Sequence, residues 1–284
     1  MDDSSILIIG ANGQLGKALQ TRYPGAVAVD SDKLDITNVD AIYHFDWSNV
    51  KTVINAAAYT NVDGAETPEG RILAWRINSV GAANLARVAI GRDIQIVHVS
   101  TDYVFDGQQA EHTEDEPFSP LGVYAQSKAA GDIAVSLASK HYILRTSWVI
   151  GDGPNFVRTM LELGQKGVAP TVVADQVGRL TFTSQLVNAI DHLLTKQAEF
   201  GTYNVSNGGQ PASWADITRT IFKQAEYDLT VTDTTTSEYF AGKPGIAPRP
   251  LQSTLALDKL QATGFTPTDW RSDLENYIGN QHVN

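Results

Sequence analysis

The chain has 284 residues, a formal net charge of −11 at pH 7 and no cysteine. The acidic balance excludes the clustered Lys and Arg surface of a nucleic-acid-binding protein, and the absence of cysteine excludes disulfides and thiolate metal sites. No apolar run reaches the roughly 20 residues that cross a bilayer, and the N-terminus lacks the pattern of a secretory signal. We expect a cytoplasmic protein that acts on small molecules, with no nucleic-acid or membrane partner.

The first half of the chain alternates short apolar segments with helical ones. Strands are predicted at residues 6–9, 26–29, 51–55, 94–99 and 141–145, and helices at 15–23, 72–90 and 123–138. Strands separated by helices of this length form βαβ units, in which right-handed crossovers join parallel strands. The pattern therefore predicts an α/β fold with a doubly wound parallel sheet.

A glycine pattern lies between the first predicted strand and the first predicted helix, in Gly10-Ala-Asn-Gly13-Gln-Leu-Gly16. Glycines permit a tight turn and a close approach of the backbone, and a helix N-terminus offers unpaired N–H groups to a pyrophosphate. The spacing is GxxGxxG rather than the GxGxxG of ordinary dinucleotide folds, and a plain strand-to-helix turn is the alternative. In this position we expect a dinucleotide site that also includes Gln14 and Leu15.

Asp30 closes the second predicted strand, where a carboxylate can face the adenosine ribose. A carboxylate there repels a 2′-phosphate and favours NADH, whereas the nearby Lys33 weakens that preference. The residues themselves leave the choice between NADPH and NADH open.

Tyr124 and Lys128 are four residues apart and share one face of a predicted helix. The pair follows Ser100 and Thr101 by about two dozen residues, between the fourth and fifth predicted strands. Reduction of a ketone by hydride needs a proton donor, and an ammonium beside a tyrosine stabilises its phenolate. We therefore expect Tyr124 to donate the proton, Lys128 to tune it and Thr101 to orient the carbonyl oxygen.

Beyond residue 148 the segments are helical and separated by loops rich in Gly, Pro and Thr. Helices are predicted at 155–165 and 184–196, Ser213 and Asp216 form a capping box, and 230–249 is predicted to be a loop. We expect residues 1–150 to form a Rossmann-type dinucleotide-binding core. Residues 151–284 would form mostly a smaller C-terminal substrate lobe, with some elements returning to the core sheet.

The sequence resembles the extended short-chain dehydrogenases, and within them the dTDP-4-dehydrorhamnose reductases, over nearly its whole length. The glycine loop and the Tyr124 to Lys128 motif belong to the wider superfamily, whereas other segments are more specific to the reductases. The more specific segments are Ser100-Thr-Asp-Tyr-Val-Phe105, Arg145-Thr-Ser-Trp148 and Arg249-Pro-Leu-Gln-Ser-Thr-Leu255.

The resemblance implies further contacts with a bound NADPH, with NADH as the alternative cofactor. Beyond the glycine loop and the Tyr-Lys pair, the implied cofactor contacts are Asp35, Ile36, Ala57, Ala58, Tyr59, Asn78 and Val99. Thr101, rather than Ser100, matches the catalytic hydroxyl. The helix after the glycine loop begins Lys17-Ala-Leu, without the glutamate through which some relatives bind Mg²⁺, so we expect no metal.

The resemblance also implies contacts with a nucleotide sugar. The implied substrate contacts are Thr101, Asp102, Phe105, Trp148 and Arg249. Trp148 ends an apolar strand and alone would suggest a core aromatic, but the reductase motif favours the wall of a sugar pocket. Arg249 lies between two prolines, where it could anchor a phosphate or serve the structure. We expect His98 and Trp214 to be packing residues.

The family implies reduction of the 4-keto group of dTDP-4-dehydro-L-rhamnose to dTDP-L-rhamnose, a precursor of cell-surface polysaccharides. Two alternatives stay open: a non-catalytic nucleotide-binding regulatory subunit, and a nucleotide-sugar epimerase or dehydratase that retains NAD. We expect a monomer or a homodimer.

Overall fold

The structure is a computed structural model that describes residues 2–281. Its centre is a sheet of six parallel strands. The strands are β1 (Ile6–Ile9), β2 (Val27–Val29), β3 (Thr52–Asn55), β4 (Gln95–Thr101), β5 (His141–Thr146) and β10 (Gly201–Asn204), in the order β2-β1-β3-β4-β5-β10. The predicted fold class, a Rossmann-type doubly wound parallel sheet, is confirmed.

Helices cover both faces of this sheet because its apolar side chains alternate between two cores. Ile6 and Ile8 of β1 face one core, and Leu7 and Ile9 face the other. All four side chains are at most 1% exposed, and burial of each contributes roughly 1.5–3 kcal/mol. In the first 150 residues the helices are α1 (Gln14–Arg22), α2 (Val39–His44), α3 (Pro68–Ala74), α4 (Ala82–Arg92) and α5 (Val123–Ser136).

The single helix predicted at 72–90 is instead three consecutive segments. A π-helix at Trp75–Gly81 connects α3 to α4. Apolar periodicity across 72–90 does not reveal the wider turn, because the extra residue it accommodates changes the facing of only a few side chains. The wider turn places Asn78, which is 1% exposed, toward the neighbouring loop.

The chain after residue 148 forms a third apolar core and also adds to one of the two cores that flank the sheet. Its helices are α6 (Phe156–Gln165), α7 (Thr183–Lys196), α8 (Trp214–Gln224), α9 (Thr236–Tyr239), α10 (Asp258–Ala262) and α11 (Trp270–Gln281). Its short strands are β6 (Val149–Ile150), β7 (Thr171–Val173), β8 (Val177–Gly178), β9 (Thr181–Phe182), β11 (Ala212–Ser213) and β12 (Thr232–Thr234). Strand β10 pairs with β5, and α7 packs on the same face of the sheet as α1.

The capping box predicted at Ser213 and Asp216 is present at the start of α8. Residues 230–249, predicted as loop, contain the short β12 and α9. Within residues 2–281, no helix combines the length and apolar character needed to cross a membrane.

Candidate active site

Two adjoining clefts open at the carboxyl ends of the central strands, where ligands bind in doubly wound folds. The first has a volume of about 500 Å³ and the second about 660 Å³. Gly13, Ala56 and Ala58 line both, so the two clefts meet at the glycine loop and the loop after β3. Together they are large enough for an extended dinucleotide and a second ligand.

Most of the predicted site residues line these clefts. The first is lined by Gly10, Gly13, Asp30, Asp35, Ile36, Ala57 and Ala58. The second is lined by Gly13, Gln14, Leu15, Ala58, Val99, Thr101, Asp102, Tyr124, Lys128 and Trp148. The structure therefore brings the residues expected around adenosine to one end and those expected to react to the other.

The glycine loop needs glycine because backbone atoms approach each other closely. Gly10 has a φ of +85°, and a Cβ there would lie 2.7 Å from the nitrogen of Ala57. A Cβ on Gly16 would lie 2.0 Å from the carbonyl oxygen of Gly10. Gly13 is the N-cap residue of α1 and has no side chain to cap it. The N–H groups of the first turn are therefore left for an anion. These features fit the pyrophosphate of a dinucleotide.

Asp30 braces the glycine loop from the end of β2. Its carboxylate oxygens accept hydrogen bonds from the backbone N–H of Asn12 at 3.0 Å and of Ser31 at 2.8 Å. The carboxylate also lines the first cleft beside Asp35. An acidic wall at this end of the cleft suits ribose hydroxyls, which are hydrogen-bond donors.

Asn78 acts on the site from outside the clefts. Its side-chain oxygen accepts from the backbone N–H of Tyr59 at 2.8 Å, and its amide nitrogen donates to the Tyr59 carbonyl at 3.1 Å. The same nitrogen donates to the hydroxyl of Ser127 at 3.0 Å. Asn78 thus fixes the loop after β3 to helix α5, which carries Tyr124. Tyr59 does not line a cleft and packs in a small cluster with Tyr124.

Thr101, Tyr124 and Lys128 meet in the second cleft. Burial raises the pKa of Tyr124, and the Thr101 hydroxyl beside it acts in the opposite direction. Lys128 donates from Nζ to the carbonyl oxygen of Val99 at 2.7 Å. Burial lowers the pKa of Lys128 to about 8, while Asp132 acts to raise it. The cleft therefore holds a protonated phenol and an ammonium that titrates near neutrality.

Asp102 is buried next to Thr101. The Thr101 hydroxyl donates to Asp102 Oδ1 at 3.0 Å. Burial raises the pKa of Asp102 to about 6, and the hydroxyls of Ser253 and Thr101 act to lower it. Ser253 belongs to the segment that follows Arg249. The backbone of this segment pairs with that of Val177, and the Ser253 N–H donates to the Val177 carbonyl.

Trp148 has an unusual backbone conformation for a tryptophan. Its φ is +46°, in the left-handed region that costs a non-glycine residue of order 1–3 kcal/mol. Its ring stacks on that of Trp214, with 3.8 Å between the centroids and 21° between the planes. Trp214 was predicted only as a packing residue. No motif indicated that Trp214 stacks on Trp148, because the two residues are 66 positions apart in the sequence.

The structure does not place Phe105 and Arg249 in the clefts. Phe105 is fully buried and stacks on His112 with 4.7 Å between centroids, because the turn after β4 directs its ring inward. Arg249 donates from Nη2 to both carboxylate oxygens of Asp63 at 2.8 Å. The guanidinium thus connects the segment around residue 249 to the loop after β3. Of the two roles predicted for Arg249, this is the structural one.

Sequence reasoning missed a second group of residues that line the second cleft. They come from the end of β5 and from the loop after β6, and they are Thr146, Asp152, Gly153 and Pro154. Gln14 donates from its amide to the Pro154 carbonyl at 3.3 Å, and this hydrogen bond connects the glycine loop to the loop after β6. Only the proximity of these residues to the Trp148 motif could have indicated them.

A family model described as the RmlD substrate binding domain matches residues 4–283. The chain is 39% identical to dTDP-4-dehydrorhamnose reductase of Aggregatibacter actinomycetemcomitans, covering 95% of this chain and 97% of that protein. Its fold matches the dTDP-4-dehydrorhamnose reductase of Clostridium acetobutylicum with a TM-score of 0.90 and 38% identity, covering 98% and 99% of the two chains.

The dTDP-4-dehydrorhamnose reductase of Bacillus anthracis, solved in complex with NADP, matches with a TM-score of 0.88 and 35% identity over 97% of this chain and 98% of that one. These matches cover the glycine loop, the Tyr-Lys pair and the C-terminal lobe together. The chain belongs to the RmlD substrate binding domain family, the dTDP-4-dehydrorhamnose reductase branch of the extended short-chain dehydrogenases.

Proposed function

We propose that the chain reduces the 4-keto group of dTDP-4-dehydro-L-rhamnose to dTDP-L-rhamnose. The observation that carries this proposal is the meeting of Thr101, Tyr124 and Lys128 in a cleft continuous with the glycine loop. The named relatives and the NADP complex of the Bacillus anthracis reductase support it.

In this proposal the first cleft holds the adenosine half of NADPH, or of NADH. Asp30, Asp35 and Ile36 would contact the adenosine, and the first turn of α1 would bind the pyrophosphate. Ala57, Ala58 and Val99 would line the path toward the reactive end, with Asn78 holding the loop behind them. The bound cofactor supplies the hydride that reduces the ketone.

Tyr124 would transfer its proton to the carbonyl oxygen as negative charge develops on it. Thr101 would turn its hydroxyl proton from Asp102 to the same oxygen and hold that oxygen in line with the phenol. Lys128, as an ammonium, would stabilise the phenolate that Tyr124 becomes. Because these groups lie on β4 and α5, rigid elements of the core, little reorganisation is needed when charge develops.

We also propose that residues 1–150 act mostly on the cofactor and residues 151–284 mostly on the nucleotide sugar. Trp148 and Asp102 would contact the sugar. Strand β10 and helix α7 would be the parts of the second half that serve the core. Phe105 and Arg249 would act indirectly, through packing and through the ion pair with Asp63.

Purified protein, dTDP-4-dehydro-L-rhamnose and NADPH test this function in one assay. We expect oxidation of one NADPH for each dTDP-L-rhamnose formed, with NADH assayed in parallel. Tight binding of NADPH without turnover of the keto sugar would contradict the proposal and favour a non-catalytic nucleotide-binding subunit.

Replacement of Trp214 tests the aromatic wall of the proposed sugar site. In Trp214→Leu the support under Trp148 is lost, and an aromatic pair of this kind contributes about 0.5–1.5 kcal/mol. We expect the KM for the keto sugar to rise about 3- to 10-fold with kcat nearly unchanged, because the reacting groups are not touched.

The matched control for Trp214→Leu is Trp75→Leu, which removes an exposed tryptophan that lines neither cleft. Its KM should stay at the unmodified value. Equal changes of KM in both variants would show that Trp214 does not support the sugar site.

A further inference from the structure

Behind Lys128 lies a group of buried polar side chains that the proposed reaction does not use. Asp132 follows Lys128 by one turn of α5, and the two are 1% and 2% exposed. His98 on β4 and Arg145 on β5 face Asp132 from the sheet. Burial of a carboxylate costs free energy unless the carboxylate is paired with an opposite charge and hydrogen-bonded.

The hydrogen bonds fix the protonation of His98. The side-chain oxygen of Asn55 already accepts from the Ala57 N–H at 3.2 Å, so its amide nitrogen donates to His98 Nδ1 at 3.0 Å. The imidazole proton therefore sits on Nε2, which faces Asp132 Oδ1 at 3.8 Å. Burial, together with the nearby Lys128, lowers the pKa of His98, so the ring is neutral.

Arg145 favours the ionised form of Asp132. Its Nε donates to Asp132 Oδ2 at 3.3 Å, and its Nη1 donates to the carbonyl of Glu114 at 2.9 Å. Burial raises the pKa of Asp132, while Arg145 and Lys128 act in the opposite direction. A guanidinium that is hydrogen-bonded to a carboxylate favours its charged form.

The other charged or titratable groups near this part of α5 are placed differently. Glu66 accepts from the N–H of Val123 at the helix start, and Asp102 accepts from the hydroxyl of Thr101. Tyr124 and Tyr103 face each other edge to face across the cleft, with 5.8 Å between centroids. Asp132 is the acidic group that acts on Lys128.

We propose that Asp132 is a positioning residue for the reduction, whose carboxylate keeps Lys128 a charged ammonium beside Tyr124. Arg145 holds this carboxylate in place from the sheet, His98 faces it, and Asn55 connects His98 to the loop at Ala57. The inference rests on the proposed function for its catalytic meaning. The charge state of Lys128 itself is a property of this chain alone.

The test is Asp132→Asn, which keeps the shape and removes the charge. Asp132 follows Lys128 by one helical turn, and a carboxylate within about 4 to 6 Å of an ammonium changes its pKa by about 1 to 3. The ammonium of Lys128 should be lost at lower pH, so the alkaline limb of kcat/KM against pH should move down by about one pH unit or more. Asp132→Glu restores the charge and should move the limb back toward its original position.

A second readout does not depend on turnover. Lys128 lines the second cleft, toward which the cofactor would extend, so NADPH affinity, measured by fluorescence without the sugar, should weaken at a correspondingly lower pH in Asp132→Asn. Asp93→Asn is the matched control, because it removes an exposed carboxylate that pairs with Lys140. In that variant both pH profiles should be unchanged.

Asp132→Asn leaves Arg145 without its buried partner, and such a loss can prevent folding. The double variant Asp132→Asn with Arg145→Gln removes both charges, and thermal unfolding monitored by circular dichroism establishes that it folds. The pH profile of kcat/KM and the pH profile of NADPH affinity should both move to lower pH in this variant as well, since Asp132 is the group that acts on Lys128. An alkaline limb that stays in place in either folded variant overturns the proposal. If NADPH binding follows the expected profile but no keto sugar is reduced, the proposed function fails while the positioning role stands.

Discussion

Replacing Tyr124 with phenylalanine should lower kcat by about 10²–10⁴-fold, the contribution expected of a positioned proton donor. The half-buried phenol lies beside Thr101 in the second cleft. Phenylalanine keeps the ring packed against Tyr103 and the cluster that includes Val123, so the fold and the affinity for NADPH should be nearly unchanged.

Tyr142→Phe is the matched control for this variant. Tyr142 is a buried tyrosine whose hydroxyl donates to the Ala198 carbonyl and lies outside both clefts. Its loss should cost about 1 kcal/mol of stability and leave kcat unchanged. Full activity in Tyr124→Phe would remove Tyr124 from the mechanism.

Replacing Gly16 with alanine should disable the glycine loop. The new Cβ would lie 2.0 Å from the carbonyl oxygen of Gly10 and 2.9 Å from backbone atoms of Ala11, so α1 must move away from the loop. Overpacking of this kind costs about 1–3 kcal/mol in unfolding free energy. Because the moved N–H groups no longer converge on the pyrophosphate, we expect NADPH affinity to fall about 100-fold, measured by isothermal titration calorimetry.

The same exchange at Gly91 is the control for Gly16→Ala. Gly91 lies in α4, and a Cβ there meets no atom within 4 Å. Alanine favours a helix over glycine by about 0.5–1 kcal/mol, so Gly91→Ala should stabilise the protein and leave NADPH binding as it was. If Gly16→Ala bound NADPH normally, the loop would not be the pyrophosphate site.

The parallel core could be predicted because its strands are strongly apolar and its helices begin and end at clear sequence signals. Residues 6–9, for example, have no polar side chain and stop at Gly10. The predicted bounds of the core strands and of α1 and α5 differ from those observed by at most two residues, as at 51–55 against Thr52–Asn55 and at 123–138 against Val123–Ser136. The π-helix at Trp75–Gly81 could not be predicted, since apolar spacing hardly distinguishes it from an α-helix.

The site was predictable where a motif keeps its residues close in sequence. Tyr124 and Lys128 are one helical turn apart, and Thr101 follows a recognisable strand. Roles that depend on contacts between distant segments were not predictable. Trp214 under Trp148 is one such contact, and the ion pair between Arg249 and Asp63 is another. The reductase motifs that include Phe105 could not reveal that its ring packs inward.

The buried carboxylate behind Lys128 illustrates the same limit. In the sequence, Asp132 is an acidic residue on an amphipathic helix, where a solvated position is the ordinary expectation. Only the folded sheet brings His98 and Arg145 to it, because the two residues lie on β4 and β5. The burial of Asp132 and its neighbours, rather than its residue type, indicates the positioning role.

The most direct test of the proposed function follows the hydride. NADPH that carries deuterium at C4 of the nicotinamide, on the transferred face, should be incubated with dTDP-4-dehydro-L-rhamnose, and the sugar product analysed by mass spectrometry and NMR. We expect one deuterium at C4 of each dTDP-L-rhamnose, with one NADPH oxidised. A product without deuterium, formed while the added NADPH stays reduced, would contradict the reductase and indicate an epimerase or dehydratase that retains its own NAD.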